Sequence, residues 1–163
     1  MRIEMKVSSL SCDPFTDTPI VILRDGSGKH SVPLWIAQPE AAAIAAELEG
    51  VRLDRPTTHD LLKAVLGALG GKVHHVEIRD LQKATFFATI HITRDGSAAA
   101  ELDARPSDAI ALALRTGAPI YVTKKVLDKV RRQADKNKQP TVVYEAPGTA
   151  DGYVIDPAFK WKV

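Results

Sequence analysis

One repeated stretch decides how this sequence folds. Residues 19–50 read PIVILRDGSGKHSVPLWIAQPEAAAIAAELEG, and the tetrapeptide RDGS at positions 24–27 recurs at positions 94–97. Asp-Gly is a hairpin turn signal because glycine accepts the positive φ that such turns require. Each RDGS precedes a strand-like segment, a proline and an alanine-rich helix that ends in glycine, with eleven positions from Pro39 to Gly50 and eleven from Pro106 to Gly117. We therefore predict a strand–turn–strand–helix unit that the chain uses twice.

The predicted fold class is α+β, with a mixed or antiparallel sheet packed against helices. One such unit cannot bury its apolar faces alone, so two units packed together form one core. The length of 163 residues fits a single domain of this kind. We assign residues 1–132 to this domain and residues 133–163 to a basic connector and a partly ordered carboxyl-terminal tail, in which VVYE and YVID are candidate edge strands.

The composition excludes several classes of protein. No apolar run approaches the roughly 18 residues that a membrane span needs, and the opening MRIEMKVSSL lacks the apolar core of a secretory signal. The single cysteine, Cys12, cannot form an intramolecular disulfide or a cysteine-rich zinc site. We therefore expect a cytoplasmic protein with no membrane partner.

The basic residues are concentrated near the end of the chain. The net charge is only +2, yet positions 124–163 contain nine Lys/Arg against five Asp/Glu. The simpler interpretation is a solvated helix face that runs into a tail, and the other is a patch that faces phosphate groups.

Two helix starts share the pattern Arg-Pro-hydroxyl. Arg55 and Thr57 flank Pro56, and Arg105 and Ser107 flank Pro106 in the same way. Free backbone N–H groups and the helix dipole favour an anion at such a start, and a nearby guanidinium can grip phosphate with two hydrogen bonds. We therefore predict that Arg55, Thr57, Arg105 and Ser107 bind phosphate. The alternative is that each arginine pairs with a neighbouring carboxylate while the proline and the hydroxyl residue start the helix.

Three carboxylates surround the second of these starts. Glu101 and Asp103 point to the same face of a strand, and Asp108 lies in the first turn of the helix that follows. Hard cations prefer oxygen ligands, so these residues beside Arg105 are a candidate site for Mg²⁺ or Mn²⁺. The alternative is that Asp108 complements the helix dipole while Glu101 and Asp103 lie on a solvent face.

The first of these helix starts also carries a candidate acid–base pair, His59 and Asp60. Thr57 and Asp60 are spaced as a capping box, and the leucines and valine that follow form one apolar stripe over positions 61–69. His59 is a candidate general base or metal ligand if it faces a cleft, and otherwise a polar residue of the first turn.

The remaining histidines give a weaker signal. His74 and His75 are adjacent on a strand, so we expect them to point to opposite faces and not to share a ligand. His30 and His91 are expected to be isolated.

Three segments resemble the bifunctional nuclease family, also catalogued as a domain of unknown function. They are VPLWIAQPEAAAIAAELEG at 32–50, RPTTHDLLKAVLGALG at 55–70 and DARPSDAIALALRTGAPIYV at 103–122. The resemblance covers roughly residues 1–132 and departs from the family pattern at Ala37-Gln38, where glycine is usual. It implies a compact α+β fold, a homodimer or higher homo-oligomer, and nuclease activity on DNA and RNA. The matching polar positions are His59, Asp60, Asp103, Arg105, Ser107 and Asp108.

Two functions follow from these residues. The first is a metal-dependent nuclease that hydrolyses phosphodiester bonds in DNA and RNA with little sequence selectivity. In it, Asp103 and Asp108 hold the ion with Glu101, the arginines bind phosphate, and His59 or Asp60 assists the water or the leaving group. The second is a non-catalytic oligomeric module that binds a phosphorylated ligand or a protein partner. An aromatic content of 6% offers few stacking platforms for single strands and counts mildly against strong nucleic-acid binding.

Overall fold

One mixed β-sheet and four α-helices make up the part of the chain that this computed structural model describes, residues 1–137 and 154–155. The strands are β1 Arg2–Cys12, β2 Pro19–Asp25, β3 Ser31–Trp35, β4 Gly71–Gln82, β5 Thr85–Arg94, β6 Ser97–Ala104, β7 Ile120–Thr123 and β8 Val154–Ile155. The helices are α1 Gln38–Leu48, α2 Thr58–Ala68, α3 Pro106–Thr116 and α4 Lys124–Asn137. The predicted α+β class is confirmed.

The predicted unit occurs twice, on the two sides of β7. The strand order is β3-β2-β1-β7-β4-β5-β6, so each side is a three-stranded antiparallel meander that is followed by a helix, α1 or α3. Because β7 is antiparallel to β1 but parallel to β4, the two meanders run in opposite senses. The two halves are therefore related by an approximate two-fold axis near β7, and α1 packs against α3.

The two RDGS turns have the same letters but different conformations. In the second, Arg94 pairs with Ser97, and the two residues between them have positive φ, 51° at Asp95 and 77° at Gly96, as a type I′ turn requires. In the first, the last paired residues are Arg24 and Ser31, so a longer loop joins the two strands. Within that loop the Asp25 carboxylate accepts a hydrogen bond from the backbone N–H of His30 at 2.9 Å. Gly26 therefore needs no positive φ, whereas Gly96 does.

The core lies on one side of the sheet, the side that carries α1 and α3. Val76, Ile78, Ile90, Ile120 and Val122 point to that side and are buried with both helices. Strand alternation sends the intervening residues to the other side, which faces solvent. These solvent-side residues are His75, Glu77, His91, Asp103 and Tyr121.

Helix α2 is placed differently from the other helices. His59 is its one buried residue. Leu66 contacts Gly71, but the rest of the predicted apolar stripe faces solvent, with Leu61, Leu62, Val65 and Leu69 at 56, 45, 46 and 63% exposure. The predicted periodicity is correct, yet the described chain supplies no surface that covers this face.

Helix α4 packs Val126 and Leu127 into the core and is also tied to the sheet by charge. The buried Asp80 carboxylate accepts hydrogen bonds from Lys125 at 2.7 Å and Lys129 at 2.8 Å, which hold its pKa well below the usual range. The helix continues past the domain boundary predicted at 132, to Asn137. Part of YVID forms β8, which pairs in parallel with β1, whereas VVYE lies outside the described residues.

The two turns give a matched stability test. Gly96→Ala places a side chain at a φ of 77°, so we expect it to lower the free energy of unfolding by about 1–2 kcal/mol. Gly26→Ala makes the same chemical change in the same tetrapeptide, with no strained φ and nothing within 4 Å of the added methyl, so its effect should stay within about 0.5 kcal/mol. Denaturant unfolding of both variants checks this; equal losses would contradict the assigned turn conformations.

Candidate functional site

The first turn of α2 is held by polar contacts with its own cap and with α3. The Asp60 carboxylate accepts hydrogen bonds from the Thr57 backbone N–H at 2.9 Å and from the Thr57 hydroxyl at 2.7 Å. The guanidinium of Arg115, from the last turn of α3, donates to the same carboxylate at 2.8 Å. Partial burial opposes ionisation of Asp60, but these hydrogen bonds outweigh it and lower its pKa to about 2. The predicted pairing of Thr57 with Asp60 is present.

Beside this turn lies a cavity of about 280 Å³ whose wall has more basic than acidic residues. Four of its lining residues are basic: Arg52, Arg55, Lys63 and Arg115. The two acidic lining residues, Glu47 and Asp60, already pair with Arg52 and Arg115. Lys63 donates to the Arg115 carbonyl at 2.6 Å. No side chain within residues 1–137 and 154–155 pairs with the Arg55 guanidinium, so its charge is available to a ligand.

On the other side of the same turn, His59 contacts the amino-terminal turn of α3. Its Nε2 lies 3.1 Å from Asp108 Oδ1, while Arg105 Nε donates to Asp108 Oδ2 at 2.7 Å. Burial opposes ionisation of Asp108, but the hydrogen bonds from Arg105 and His59 lower its pKa. An ionised Asp108 favours the tautomer in which Nε2 of His59 carries the proton, which leaves Nδ1 as a base. The pair, with a His59 side chain that is 11% exposed, is therefore a candidate general acid–base dyad.

Glu40 completes this group and was not identified from the sequence as a site residue. Arg105 Nη1 contacts Glu40 Oε1 at 2.8 Å, so one guanidinium bridges Glu40 and Asp108. The second Glu40 oxygen, Oε2, is buried and has no hydrogen-bond partner among the described residues. Both carboxylates are the third residue of their helices, α1 and α3, so the repeated unit was the signal that could have paired them.

The two Arg-Pro-hydroxyl patterns are used differently. Thr57 is the N-cap of α2, two residues beyond Arg55, whereas Arg105 is itself the N-cap of α3 and Ser107 is buried inside the helix. Arg55 and Thr57 line the cavity, and Arg105 and Ser107 do not. The pairing of Arg105 with two carboxylates matches the alternative interpretation of that position.

The three carboxylates predicted to share a metal ion lie in two places. Glu101 and Asp103 share the solvent side of β6, as predicted, where Asp103 pairs with Arg79 at 2.8 Å and Glu101 lies 3.4 Å from His91. Asp108 belongs to α3, on the core side of the sheet, because the chain crosses over between Ala104 and Pro106. Glu101, Asp103 and Asp108 do not form a group with ligand atoms within 4.8 Å of one another in the described chain.

The expectation for three histidines was wrong. A bulge in β4 between Val73 and His75 brings His74 Nδ1 to 2.6 Å from His75 Nδ1, so these side chains touch instead of pointing apart. His91 is not isolated, because its ring stacks on His75 at 4.0 Å between centroids. Burial, together with the neighbouring His91 and Arg2, lowers the pKa of His75 to about 4.

Comparison with known proteins identifies the family. The profile of the bifunctional nuclease domain matches residues 21–135, more than half of the chain. The chain belongs to the bifunctional nuclease domain family, as the resemblance of its three segments indicated.

Relatives with this domain occur in bacteria and plants. An uncharacterized protein of Mycobacterium tuberculosis strain H37Rv is 43% identical over 124 residues, which cover 76% of this chain and 73% of the relative. Bifunctional nuclease 1 of Arabidopsis thaliana is 29% identical, over 65% of this chain and 34% of its own length. Bifunctional nuclease 2 of Oryza sativa subsp. japonica is 27% identical, over 84% of this chain and 42% of its own length. The chain thus matches less than half of either plant protein.

One negative finding concerns membranes. Among the described helices, none is both long enough and apolar enough to cross a bilayer.

The Asp60–Arg115 pair predicts an acid-sensitive fold. Asp60→Asn leaves the buried guanidinium of Arg115 without its carboxylate. Because Asp60 is itself 40% exposed, solvent weakens the pair, and we expect the free energy of unfolding to fall by about 2 kcal/mol at pH 7. The contribution of Asp60 is present above pH 4 and is lost as pH falls towards 2, since the folded pKa lies below the unfolded value of 3.8.

Unfolding measured at pH 7 and at pH 3 tests this, with Asp54→Asn, an exposed carboxylate of the preceding loop, as the matched control. The gap between Asp60→Asn and the wild type should narrow at pH 3, while Asp54→Asn should remain close to the wild type throughout. An Asp60→Asn effect no larger than that of the control would contradict the role of the pair.

Proposed function

We propose that this protein is a cytoplasmic nuclease that hydrolyses phosphodiester bonds in DNA and RNA with little sequence selectivity. The observation that carries the proposal is the cationic cavity, with Arg55 unpaired among the described residues, on the same helical turn as the His59–Asp108 dyad. Membership of the bifunctional nuclease domain family and the names of the plant relatives support it. The single cysteine supports the compartment.

The cavity and the dyad lie on the two sides of the first turn of α2, and the two residues of α3 that reach them give their separation. Arg115 marks the cavity and Asp108 the dyad, seven residues apart, or roughly 10 Å of helix. One nucleic-acid strand has a phosphate for each ~3.4 Å of helical rise, so a short strand is long enough to span both. Arginine and lysine contacts to phosphate carry no base information, which accounts for weak sequence selectivity.

The proposed chemistry uses His59 as the base. Its Nδ1 takes a proton from a water whose oxygen attacks phosphorus, and the bond from phosphorus to the leaving oxygen breaks as the new bond forms. That oxygen then takes a proton from solvent or from the imidazolium. Asp108 holds the ring and stabilises its positive charge, and the cavity cations, Arg55 and Lys63 among them, bind the flanking phosphate.

We further propose Mg²⁺ or Mn²⁺ as the cofactor, held by Asp108 and Glu40. The buried, unpartnered Glu40 Oε2 is an acceptor that fits a hard cation, and Mg²⁺ binds through one or two carboxylates while it keeps several waters. Arg105, whose side chain is 65% exposed, can turn away to admit the ion. When bound, the ion would neutralise charge that builds on the phosphate.

Cleavage of single-stranded DNA and RNA by highly purified protein tests the proposal, with Mg²⁺, Mn²⁺ or EDTA. We expect Asp108→Asn and His59→Gln to lower the rate about 100-fold or more, because general acid–base groups contribute that much. Arg55→Ala should raise KM and leave the fold intact, since no described residue depends on it. Asp103→Asn is the matched control and should cleave like the wild type.

Equal cleavage by all variants would show that the activity comes from another site of the protein or from a contaminant. Cleavage lost in Asp103→Asn but kept in Asp108→Asn would favour the carboxylates on the other side of the sheet. Phosphate binding without cleavage in the wild type would favour the non-catalytic binding module.

We also propose that the chain forms a homodimer through the exposed face of α2. Four exposed apolar residues on one helix face, Leu61, Leu62, Val65 and Leu69, are typical of a surface that another chain covers. In a two-fold dimer the partner covers this face with the same four residues. We expect Leu61→Lys/Val65→Lys to halve a wild-type mass of about twice 17.7 kDa in light scattering. Phe15→Lys, at an exposed apolar residue outside this face, should keep the dimer. A dimer that survives Leu61→Lys/Val65→Lys would contradict this interface.

A further inference from the structure

We propose that His75, Glu77 and His91 form a second metal site, on the solvent side of the sheet, that binds a transition-metal ion such as Zn²⁺. These residues are the one group of three or more histidine, cysteine or acidic side chains in the described chain whose ligand atoms lie within 4.8 Å of one another. The site is on the face opposite to α3 and does not depend on the proposed nuclease activity.

The sheet itself sets the spacing of the three ligands. His75 on β4 pairs directly with His91 on β5, and Glu77 is two residues further along β4 on the same face. Ligands about 2.0–2.2 Å from zinc in a tetrahedron are roughly 3.4 Å apart, so the two stacked rings must rotate until their nitrogens converge on the ion, while the strands stay in place. The strands are paired in the centre of the sheet, so the backbone of the site is rigid.

The chemistry of the donors favours a borderline ion over Mg²⁺. Imidazole nitrogens suit Zn²⁺, Cu²⁺ and Ni²⁺, whereas Mg²⁺ requires oxygen ligands. Each histidine also has a partner on its other nitrogen, as metal-binding histidines do: His74 contacts Nδ1 of His75, and Glu101 lies 3.4 Å from Nδ1 of His91. This arrangement leaves Nε2 of both rings for the ion, with three protein ligands and one open position.

The Arg2 guanidinium already occupies part of the proposed ion site. Nη1 of Arg2 lies 2.8 Å from His75 Nε2 and 3.2 Å from Glu77 Oε2, and its guanidinium stacks 4.4 Å above the Tyr121 ring. The group therefore binds a positive charge in the structure as it stands. Because the Arg2 side chain is 42% exposed, it can swing into solvent when a metal ion replaces it. Arg2 is thus a competitor for the site and not a ligand.

That competition distinguishes a metal site from a closed structural cluster. If Arg2 competes, Arg2→Gln should bind Zn²⁺ more tightly than the wild type, by about tenfold, although it removes a contact to two of the ligands. If the cluster is only structural, Arg2→Gln should leave zinc binding unchanged or weaken it.

Competition of the full chain with a chromogenic zinc chelator measures the affinity, and mass spectrometry measures the stoichiometry. We expect one Zn²⁺ per chain with Kd of about 1 µM or tighter. His91→Gln should weaken binding about 100-fold or more, because loss of a ligand costs at least as much as loss of a ligand's hydrogen-bond partner. His30→Gln, a histidine that pairs with Asp25 in the first turn, is the matched control and should bind like the wild type.

His91 is the variant of choice because it is less buried than His75, and circular dichroism verifies that the variant is folded. Equal zinc binding by the wild type and His91→Gln, or no binding by the wild type and Arg2→Gln, overturns the proposal. The outcome is separable from the nuclease proposal, because Asp108→Asn should still bind zinc and His91→Gln should still cleave.

Discussion

The ion pair between Asp60 and Arg115 positions the proposed active site. Helix α2 buries only His59, so the usual apolar packing cannot fix its orientation on the core. The Arg115 guanidinium, whose side chain is only 3% exposed, also donates to the Ala111 carbonyl, which anchors it within α3. Asp60 in turn binds both the backbone and the hydroxyl of Thr57. One carboxylate therefore fixes the start of α2, the cavity wall on one side of it and the contact of His59 with Asp108 on the other.

The sequence was sufficient for the features that depend on local pattern. The doubled unit, the helix that starts at Thr57 and the shared face of Glu101 and Asp103 follow from turn chemistry, capping and strand alternation, and the structure has all three. Contacts between distant segments could not be predicted in this way. Arg115 is 55 positions from Asp60, and the bulge that joins His74 to His75 has no signature in the residues themselves.

The two sides of the sheet separate two kinds of chemistry. The helix-bearing side has the cationic cavity, the His59–Asp108 dyad and the Arg105 bridge between the equivalent carboxylates Glu40 and Asp108. The solvent side has the stacked His75 and His91, and the Arg2 guanidinium contacts His75 and Glu77 there. Because Ala104 and Pro106 mark the point where the chain passes from one side to the other, neighbouring acidic residues of the sequence serve different sites.

The central claim is that a nucleic-acid strand crosses the first turn of α2 and contacts both the cavity and the dyad. Backbone amide chemical shifts, measured as a short single-stranded phosphorothioate oligonucleotide is added in a buffer with Mg²⁺, test it most directly because they map contact without relying on turnover. The account predicts the largest shifts at residues 51–63 and 105–108, with small shifts on β6 and α4. Shifts confined to the basic residues of α4, or to the solvent side of the sheet, would contradict it.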